Sequence, residues 1–431
     1  MKRILFTGVS LVLCLSMLFS FASCSEITEG DASDSDLDIS ELITEKTEKK
    51  TEKKTEKKTE KKTEKKTTAK KTETEPKPGV SKTDTELTKK TYGFANMSAT
   101  NQAYFKFLGR VKPSSDGLIF DTSCATLEFQ GYMTGDVYVT ISSKENHDFG
   151  NSFFTVFVDG KRVDTRFEVG NNATSKLKIA TFSGSYFHTV KIVKQTEFKW
   201  SLATVKSLEI TGYLVKAPAE KDYYVEFLGD SLTTAYGNIG KPGNEPSDSP
   251  KYQDGTKSYA YLFADAIDAD YTMISRSAAG INQCWSNSPI IDYYKKYSKD
   301  RSSEAFDIKN ARKPDLIVIH LGANDYNVAR ESGGISSSEK QAFIDKGKEL
   351  VKYFRDNYGT DVPIIWAYDP GEGFPDQVKE IMNSFGGEAK GYYTLSLGWS
   401  EAGAGGHPSA NEHKKHAEKL LTFVVNKNII K

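Results

Sequence analysis

Tyr224-Val225-Glu226-Phe227-Leu228-Gly229-Asp230-Ser231-Leu232-Thr233 decides how the second half of the chain is read. A short apolar run suited to a buried strand stops at Gly229, and polar residues that favour a helix start follow it. Ser231 therefore falls on a strand-to-helix turn. A serine hydroxyl at such a turn is exposed at a sheet edge, yet it is a poor nucleophile until a base removes its proton.

Moving outward, residues 222–431 alternate apolar runs with amphipathic segments. Strands are expected at Tyr224–Leu228, Tyr271–Ser275, Leu316–Leu321, Pro363–Tyr368 and Tyr392–Leu397. Helices are expected at Tyr259–Ile267, Ser338–Tyr358, Phe374–Phe385 and Ala410–Asn426. Continuous apolar strands separated by helices make an α/β fold, a parallel sheet between helix layers. Ligands in such sheets bind beyond the carboxyl ends of the strands, so the chemistry is sought there.

Four segments fall at those ends. Ser231 follows the first strand. Ser275-Arg276-Ser277-Ala278-Ala279-Gly280 closes the second, and a backbone N–H there, at Gly280, suits an oxyanion. His320-Leu321-Gly322-Ala323-Asn324-Asp325-Tyr326 closes the third, where the Asn324 amide can point at developing negative charge. Gly405-Gly406-His407-Pro408-Ser409 precedes the last helix, which makes His407 the candidate base. Taken singly, each has an ordinary structural explanation: a helix cap for Gly229-Asp230-Ser231, a turn for Asn324, a surface cap for His407, His413 or His416. Their occurrence after successive sheet elements in this order is what gives them joint weight.

Residues 92–216 read differently. Short alternating runs recur about every ten residues, at Ala125–Phe129, Asp136–Ser142, Phe153–Val158, Lys176–Phe182, His188–Val193 and Ser207–Leu214. Asp159-Gly160 between Phe153–Val158 and Arg162–Thr165 signals a hairpin. An all-β sandwich or jelly roll is expected.

The N-terminus is not a globular sequence. Lys2 and Arg3 precede an uncharged apolar run from Ile4 to about Phe21, then Phe21-Ala22-Ser23-Cys24. A basic start, an apolar run and small residues before a cut site form a secretory signal. The Cys after them resembles a bacterial lipobox, in which Cys24 becomes the lipidated first residue. Seven acids and no base occupy residues 25–43, and Thr-Glu-Lys-Lys then repeats from Thr47 to Lys66. As a helix, that repeat would stack Glu48 over Glu52 and Lys49 over Lys53, like charges with no apolar face to dock. Disorder is the better expectation, as a stalk from membrane anchor to folded domains; a basic tract binding anionic polymers is the alternative. The expected organisation is 1–23 signal peptide, 24–90 linker, 91–217 β-sandwich and 218–431 α/β domain.

Lys+Arg and Asp+Glu both number 58, so there is no basic excess of the kind a nucleic-acid binder shows. Four cysteines are too few for a disulfide-dense scaffold. After processing only Cys124 and Cys284 remain, in different domains; both are expected free and buried, with a disulfide across domains as the alternative in an exported protein. The six histidines are scattered, with no Cys/His zinc spacing, so neither a metal nor a cofactor is expected. Trp285, just beyond Gly280, is a candidate sugar-stacking residue, with core packing as the alternative.

The order Gly-Asp-Ser-Leu, Gly, Gly-x-Asn-Asp and His-Pro resembles the GDSL/SGNH hydrolases. Phe157-Val158-Asp159-Gly160, His188-Thr189-Val190-Lys191, Lys194-Gln195-Thr196-Glu197 and Gly109-Arg110 resemble the N-terminal jelly roll of carbohydrate esterase family 2. The resemblance covers roughly 100–425. It implies an SGNH-type three-layer sandwich behind a jelly roll, and deacetylation of plant polysaccharides such as xylan and glucomannan. It implies Ser231 as nucleophile, His407 as base, and the N–H groups of Ser231 and Gly280 with the Asn324 side chain as oxyanion hole.

One position departs from the superfamily, which places Asp three residues before the His; here that residue is Ala404. An orienting acid normally fixes the imidazole tautomer. A backbone carbonyl in its place gives a Ser-His dyad, the favoured arrangement; Glu401 folding back is the second; loss of catalysis is the third. Three functions follow: a lipid-anchored polysaccharide O-acetyl esterase, a carbohydrate-binding lipoprotein without catalysis, or an esterase for another ester such as acetylated peptidoglycan. A lipase would show an apolar lid, and none is seen.

Overall fold

The computed structural model describes residues 87–430 apart from 147–149, 245–248, 287 and 302–303. The expected signal peptide, Cys24 and the Thr-Glu-Lys-Lys repeat lie outside the described residues. Among the described residues no helix is long and apolar enough to cross a membrane.

The first domain is a single ten-stranded antiparallel sheet. Its strands are β1 Lys89–Gly93, β2 Phe105–Leu108, β3 Lys112–Ser114, β4 Gly117–Ile119, β5 Thr126–Glu145, β6 Ser152–Val158, β7 Lys161–Arg162, β8 Phe167–Val169, β9 Ala173–Lys194 and β10 Ser201–Leu214; a one-turn helix, α1, spans Ala99–Gln102. The order is β3-β4-β10-β5-β9-β6-β7, with β1 on β10, β2 on β5 and β8 on β6. The sheet curls round Phe94, Phe105, Phe120, Phe129, Phe154 and Val156, a jelly-roll-like closure. β1 begins at Lys89, inside the expected linker.

Two pairs of expected strands are single elements. Ala125–Phe129 and Asp136–Ser142 both lie in β5, and Lys176–Phe182 and His188–Val193 both lie in β9. The intervening glycines suggested turns, but they make a bulge. Met133 pairs with Tyr186 and Gly135 with Phe182, so β9 carries extra residues there, and Gly135 takes a left-handed φ of +67°. A bulge bends a strand without ending it. Asp159-Gly160 does turn the β6–β7 hairpin.

The second domain has a five-stranded parallel sheet, β11 Tyr223–Gly229, β12 Ala269–Ser275, β13 Leu316–His320, β14 Ile364–Tyr368 and β15 Tyr392–Ser396, in the order β12-β11-β13-β14-β15. Helices α2 Ser231–Thr234, α3 Tyr259–Ala266, α4 Ile290–Tyr294, α5 Ala323–Glu331, α6 Ser337–Tyr358, α7 Pro375–Ser384 and α8 Ala410–Asn426 connect and flank the strands. Together the two domains form the expected SGNH-type α/β domain behind a β-rich jelly-roll-like one. α2 is the helix start expected after Gly229, and it runs for a single turn; α4 and α5 were not anticipated, since α4 is too short to show a helical stripe and the sequence of α5 is mostly polar.

Local chemistry explains the long helices. Ser336 and Glu339 form a reciprocal capping box at the start of α6, which satisfies two end donors. Phe343, Ile344, Gly347, Leu350, Val351, Phe354 and Tyr358 then supply the buried stripe. Glu226 is the one acid inside β11. It is 2% exposed and accepts hydroxyl hydrogen bonds from Tyr224 (2.9 Å), Tyr294 (2.5 Å) and Tyr358 (3.1 Å). Buried charge is tolerated when its lone pairs are filled.

The domains share a core. Phe198 and Leu202, from the end of the β-domain, belong to the apolar cluster built on Ile274, Tyr293, Ile317 and Ile319. Asp121 of the β-domain receives Arg301 Nη2 at 2.6 Å and Nε at 3.0 Å. Asp270 on β12 receives Lys106 of β2 at 2.5 Å and Arg312 at 2.8 Å.

Candidate active site

β11 delivers Ser231 to the sheet edge. Gly229 must lack a side chain, because a Cβ there would lie 2.0 Å from Thr233 Oγ1. Asp230 caps α2, its Oδ1 accepting the Leu232 N–H at 2.9 Å. This carboxyl is fully buried, and burial pushes its pKa up to about 7, with the Leu232 N–H pulling the other way. Ser231 opens α2 directly after this cap.

His407 comes from 176 residues away by chain. Its loop is held by backbone bonds: Ala404 N–H to Gly237 O at 2.9 Å, and Ala410 N–H to Asn238 O at 2.8 Å. A Cβ at Gly237 would lie 2.2 Å from Ala404 O, so only glycine lets the two loops approach this closely. The result is a 2.8 Å hydrogen bond between His407 Nε2 and Ser231 Oγ.

The other ring nitrogen settles the tautomer. His407 Nδ1 lies 2.9 Å from the carbonyl oxygen of Gly405. A carbonyl only accepts, so Nδ1 carries the proton, and Nε2 of the neutral ring is left as acceptor for the serine hydroxyl. Gly405 presents that carbonyl from a left-handed turn, φ +65°. Ala404 is fully buried against Gly240. Glu401 is engaged elsewhere: its Oε1 accepts from Ser409 Oγ at 2.7 Å and Asn411 Nδ2 at 3.3 Å, at the start of α8. Burial lowers the His407 pKa below the usual histidine value; the Gly405 carbonyl opposes this, Lys199 reinforces it and Glu372 opposes it.

Gly280 and Asn324 stand on adjoining segments. Asn324 Nδ2 donates to Ala279 O at 2.9 Å and to Asp230 Oδ2 at 3.2 Å. It thereby joins the residue before Gly280 to the residue before Ser231. Gly280 has no space for a side chain: a Cβ would lie 1.9 Å from Gln283 O and 2.6 Å from Asp325 Oδ2. Asp325 is 2% exposed and accepts the N–H groups of Ile281 (3.0 Å), Asn282 (2.8 Å) and Gln283 (2.7 Å). Burial raises its pKa to about 6, and those three N–H groups limit the rise.

Trp285 is 54% exposed on the loop after Gly280, and the Ser286 N–H to Ala278 O bond at 3.0 Å folds that loop back on the site. Cys124 and Cys284 are both free. Cys124 is buried, but Cys284 is only half-buried, its thiol donating to Ser286 O at 3.1 Å. This corrects the expectation that both are buried: the loop carrying Cys284 lies at the site rim.

Several residues at the site were not anticipated as functional. Asp230 and Asp325 sat inside the quoted motifs without a role. Tyr236 packs on the His407 ring with centroids 4.6 Å apart, and Trp200 of the β-domain stacks on Tyr236 at 5.8 Å. Nothing in the spacing of Trp200 marks it; only the folded interface does. The histidines are also less scattered than their spacing suggests. His320, His413 and His416 converge around Tyr259, with ring centroids 5.5, 6.2 and 6.4 Å from it. Each keeps a buried nitrogen without a hydrogen-bond partner. No set of three histidine, cysteine or carboxylate side chains among the described residues has the arrangement to share a metal ion.

A serine hydrogen-bonded to a histidine at the carboxyl edge of a parallel sheet is the arrangement of a serine hydrolase, and residues 225–371 match the family model for GDSL-like lipase/acylhydrolase, which gives the class. Residues 107–218 match the carbohydrate esterase 2 N-terminal family. With both domains present, the chain is close to a family-2 carbohydrate esterase. It is 31% identical over 322 residues to the cellulase/esterase CelE of Acetivibrio thermocellus, covering 71% of this chain and 37% of that protein. It is 27% identical over 215 residues to an acetylxylan esterase / glucomannan deacetylase of Cellvibrio japonicus, covering 47% of this chain and 59% of that protein. The chain thus spans little more than a third to three fifths of these curated relatives. Among solved structures, a family two carbohydrate esterase from Clostridium thermocellum in complex with cellohexaose superposes with a TM-score of 0.66 at 27% identity, over 75% of this chain and 99% of that one.

Proposed function

We propose that the chain is a serine esterase that removes O-acetyl groups from plant polysaccharides of the acetyl xylan and glucomannan type. The observation that carries this is the 2.8 Å Ser231–His407 contact with the far ring nitrogen on a backbone carbonyl, in a chain that also has the carbohydrate esterase 2 N-terminal domain. The names of the relatives and the bound cellohexaose of one neighbour support a glycan substrate.

In this mechanism His407 Nε2 takes the Ser231 proton as Oγ attacks the acetyl carbonyl. The oxyanion is met by the N–H groups of Ser231 and Gly280 and by Asn324 Nδ2. It competes there with Asp230 Oδ2, the longer of the two Asn324 bonds at 3.2 Å. A side-chain donor of this kind contributes roughly 3–4 kcal/mol. The sugar oxygen leaves with the proton from Nε2, and water, deprotonated by the same nitrogen, hydrolyses the acetyl-Ser231 ester. Gly405 O keeps Nδ1 protonated throughout, the tautomer-fixing half of what a triad acid does. Its carbonyl dipole stabilises imidazolium less than a full carboxylate does.

Trp285 is proposed as a stacking surface for a sugar ring. Cys24 is proposed as the lipid-bearing residue, with the residues from 24 up to β1 as the tether at the outer face of a bacterial membrane; incorporation of labelled fatty acid that Cys24→Ser abolishes tests it.

Substrate choice is tested by comparing acetylated glucomannan and acetylated xylan with aryl acetate, butyrate and octanoate esters. The proposal expects acetate from a polymer and a steep fall beyond acetate among the aryl esters. Cleavage of long acyl esters with untouched polymers would overturn it in favour of another ester.

A further inference from the structure

The β-domain reaches into the hydrolase domain with one fully buried acid. Glu197 lies just after β9 and is 0% exposed. Its Oε2 accepts the backbone N–H of Ser277 at 2.8 Å, and its Oε1 accepts the Ser277 hydroxyl. Its own N–H donates to Gln253 Oε1 at 3.2 Å, an oxygen that also receives Trp200 Nε1 at 2.9 Å. The neighbouring Lys194 ammonium, fully buried, is held by the carbonyls of Asp121 (3.0 Å), Thr196 (2.7 Å) and Ser201 (3.2 Å). A buried carboxyl group with both oxygens filled is a rigid anchor.

What it anchors is the loop that carries Gly280. That loop leaves β12 at Ser275, and the Arg276 N–H is bonded to Gly229 O at 3.1 Å. Ala278 then takes φ +68°, a left-handed conformation that a β-carbon disfavours. A non-glycine residue stays there only where its surroundings over-determine it. Beside the backbone bonds of Ser286 N–H to Ala278 O (3.0 Å) and Ile290 N–H to Gly280 O (2.9 Å), three side chains from outside the loop bond its backbone. Asn324 holds Ala279 O, Asp325 holds the N–H groups of residues 281–283, and Glu197 holds Ser277 immediately before the strained residue. Two of the three belong to the hydrolase domain. The third does not.

We propose that Glu197 is a positioning residue that fixes the oxyanion loop, so that the β-domain takes part in catalysis and not only in holding substrate. This rests on the esterase reading above. Glu197 touches no reacting atom; it acts through Ser277 on the direction of the Gly280 N–H. A misplacement of about 1 Å in such a donor costs on the order of 100-fold in rate.

The test uses the full chain and a small aryl acetate, too short to contact a glycan-binding surface. Glu197→Ala and Glu197→Asp, the latter keeping the charge but falling short of Ser277, are expected to lower kcat by about 10- to 100-fold. KM should stay within about twofold, and the pH midpoint set by His407 should not move. Glu197→Gln can accept the Ser277 N–H with Oε1 and donate to Ser277 Oγ with Nε2, and is expected to recover most of the rate. Arg301→Ala removes a different interdomain contact, with Asp121, and is expected to keep kcat. Folded Glu197→Ala or Glu197→Asp protein with parental kcat overturns the inference, as does an equal loss in Arg301→Ala. If Glu197→Ala does not fold, the Asp and Gln variants decide it. A parent chain without esterase activity overturns the esterase reading itself and this inference with it.

Discussion

His407 has a carbonyl where a triad histidine has a carboxylate, and this changes its acid–base behaviour in a definite direction. A carboxylate partner would raise the imidazole pKa; here burial dominates and lowers it. The active, neutral form therefore persists to lower pH. kcat/KM is expected to fall on acidification with a midpoint below the ordinary histidine value of about 6.5. A midpoint above 7 would show that a carboxylate reaches the ring after all. Glu401 is the acid to examine for that role. Because its side chain is bonded to Ser409 and Asn411, Glu401→Gln is expected to keep activity within about threefold. A loss on the order of 1000-fold would make it the orienting acid. At this scale the sequence was informative: Ser231, Gly280, Asn324 and His407 were named from motif order. A backbone carbonyl was the favoured acceptor for Nδ1 once Ala404 was seen in place of the acid, but that it belongs to Gly405 was not legible, because a carbonyl leaves no residue-type signal.

The oxyanion loop is the element on which the account leans most. Gly280→Ala places a Cβ 1.9 Å from Gln283 O, so the loop must shift. Loss of at least about 100-fold in kcat is expected, with KM for an aryl acetate little changed, as steady-state kinetics will show. Retained kcat would remove Gly280 from the oxyanion hole. The strand β13 and helix α8 carry a second consequence, through the histidines packed round Tyr259. His320 is 3% exposed, and burial, then the nearby His416, holds its pKa down to about 3. Its folded pKa lies below its unfolded one, so the unfolded chain binds more protons between about pH 6.5 and 3, and stability falls as pH falls through that window. Asp230 and Asp325 have raised pKa values and act with the opposite sign, so the comparison must be a difference. Relative to His320→Leu, the parent is expected to lose up to about 1.4 kcal/mol per pH unit below 6.5 in denaturant titrations. A pH-independent difference would mean that His320 reaches a partner. Element boundaries in the α/β domain were mostly legible from apolar runs, and α8 from its stripe. β5 and β9 were not, because Gly135 and Gly184 look the same in sequence whether they turn a chain or bulge a strand.

The described residues form two domains, and side chains of the first enter the apolar core of the second. Phe198 and Leu202 fill the hydrolase core, Lys106 and Arg312 share Asp270, and Trp200 backs Tyr236 against His407. Residues 218–431 expressed alone are expected to expose that apolar surface, bind a hydrophobic dye and lose aryl esterase activity by at least about 100-fold; a fully active isolated domain would make the β-domain an accessory. Such contacts were illegible in sequence because the partners lie far apart in the chain, 80 residues for Glu197 and Ser277, and their residue types do not mark the pairing. The most direct measurement at this scale is acetate release from acetylated glucomannan and acetylated xylan by residues 82–431, beside the same protein with Ser231→Ala. The account predicts release by the parent and its loss in the variant. Release that survives Ser231→Ala, or no release from either polymer or from an aryl acetate by the parent, would contradict it.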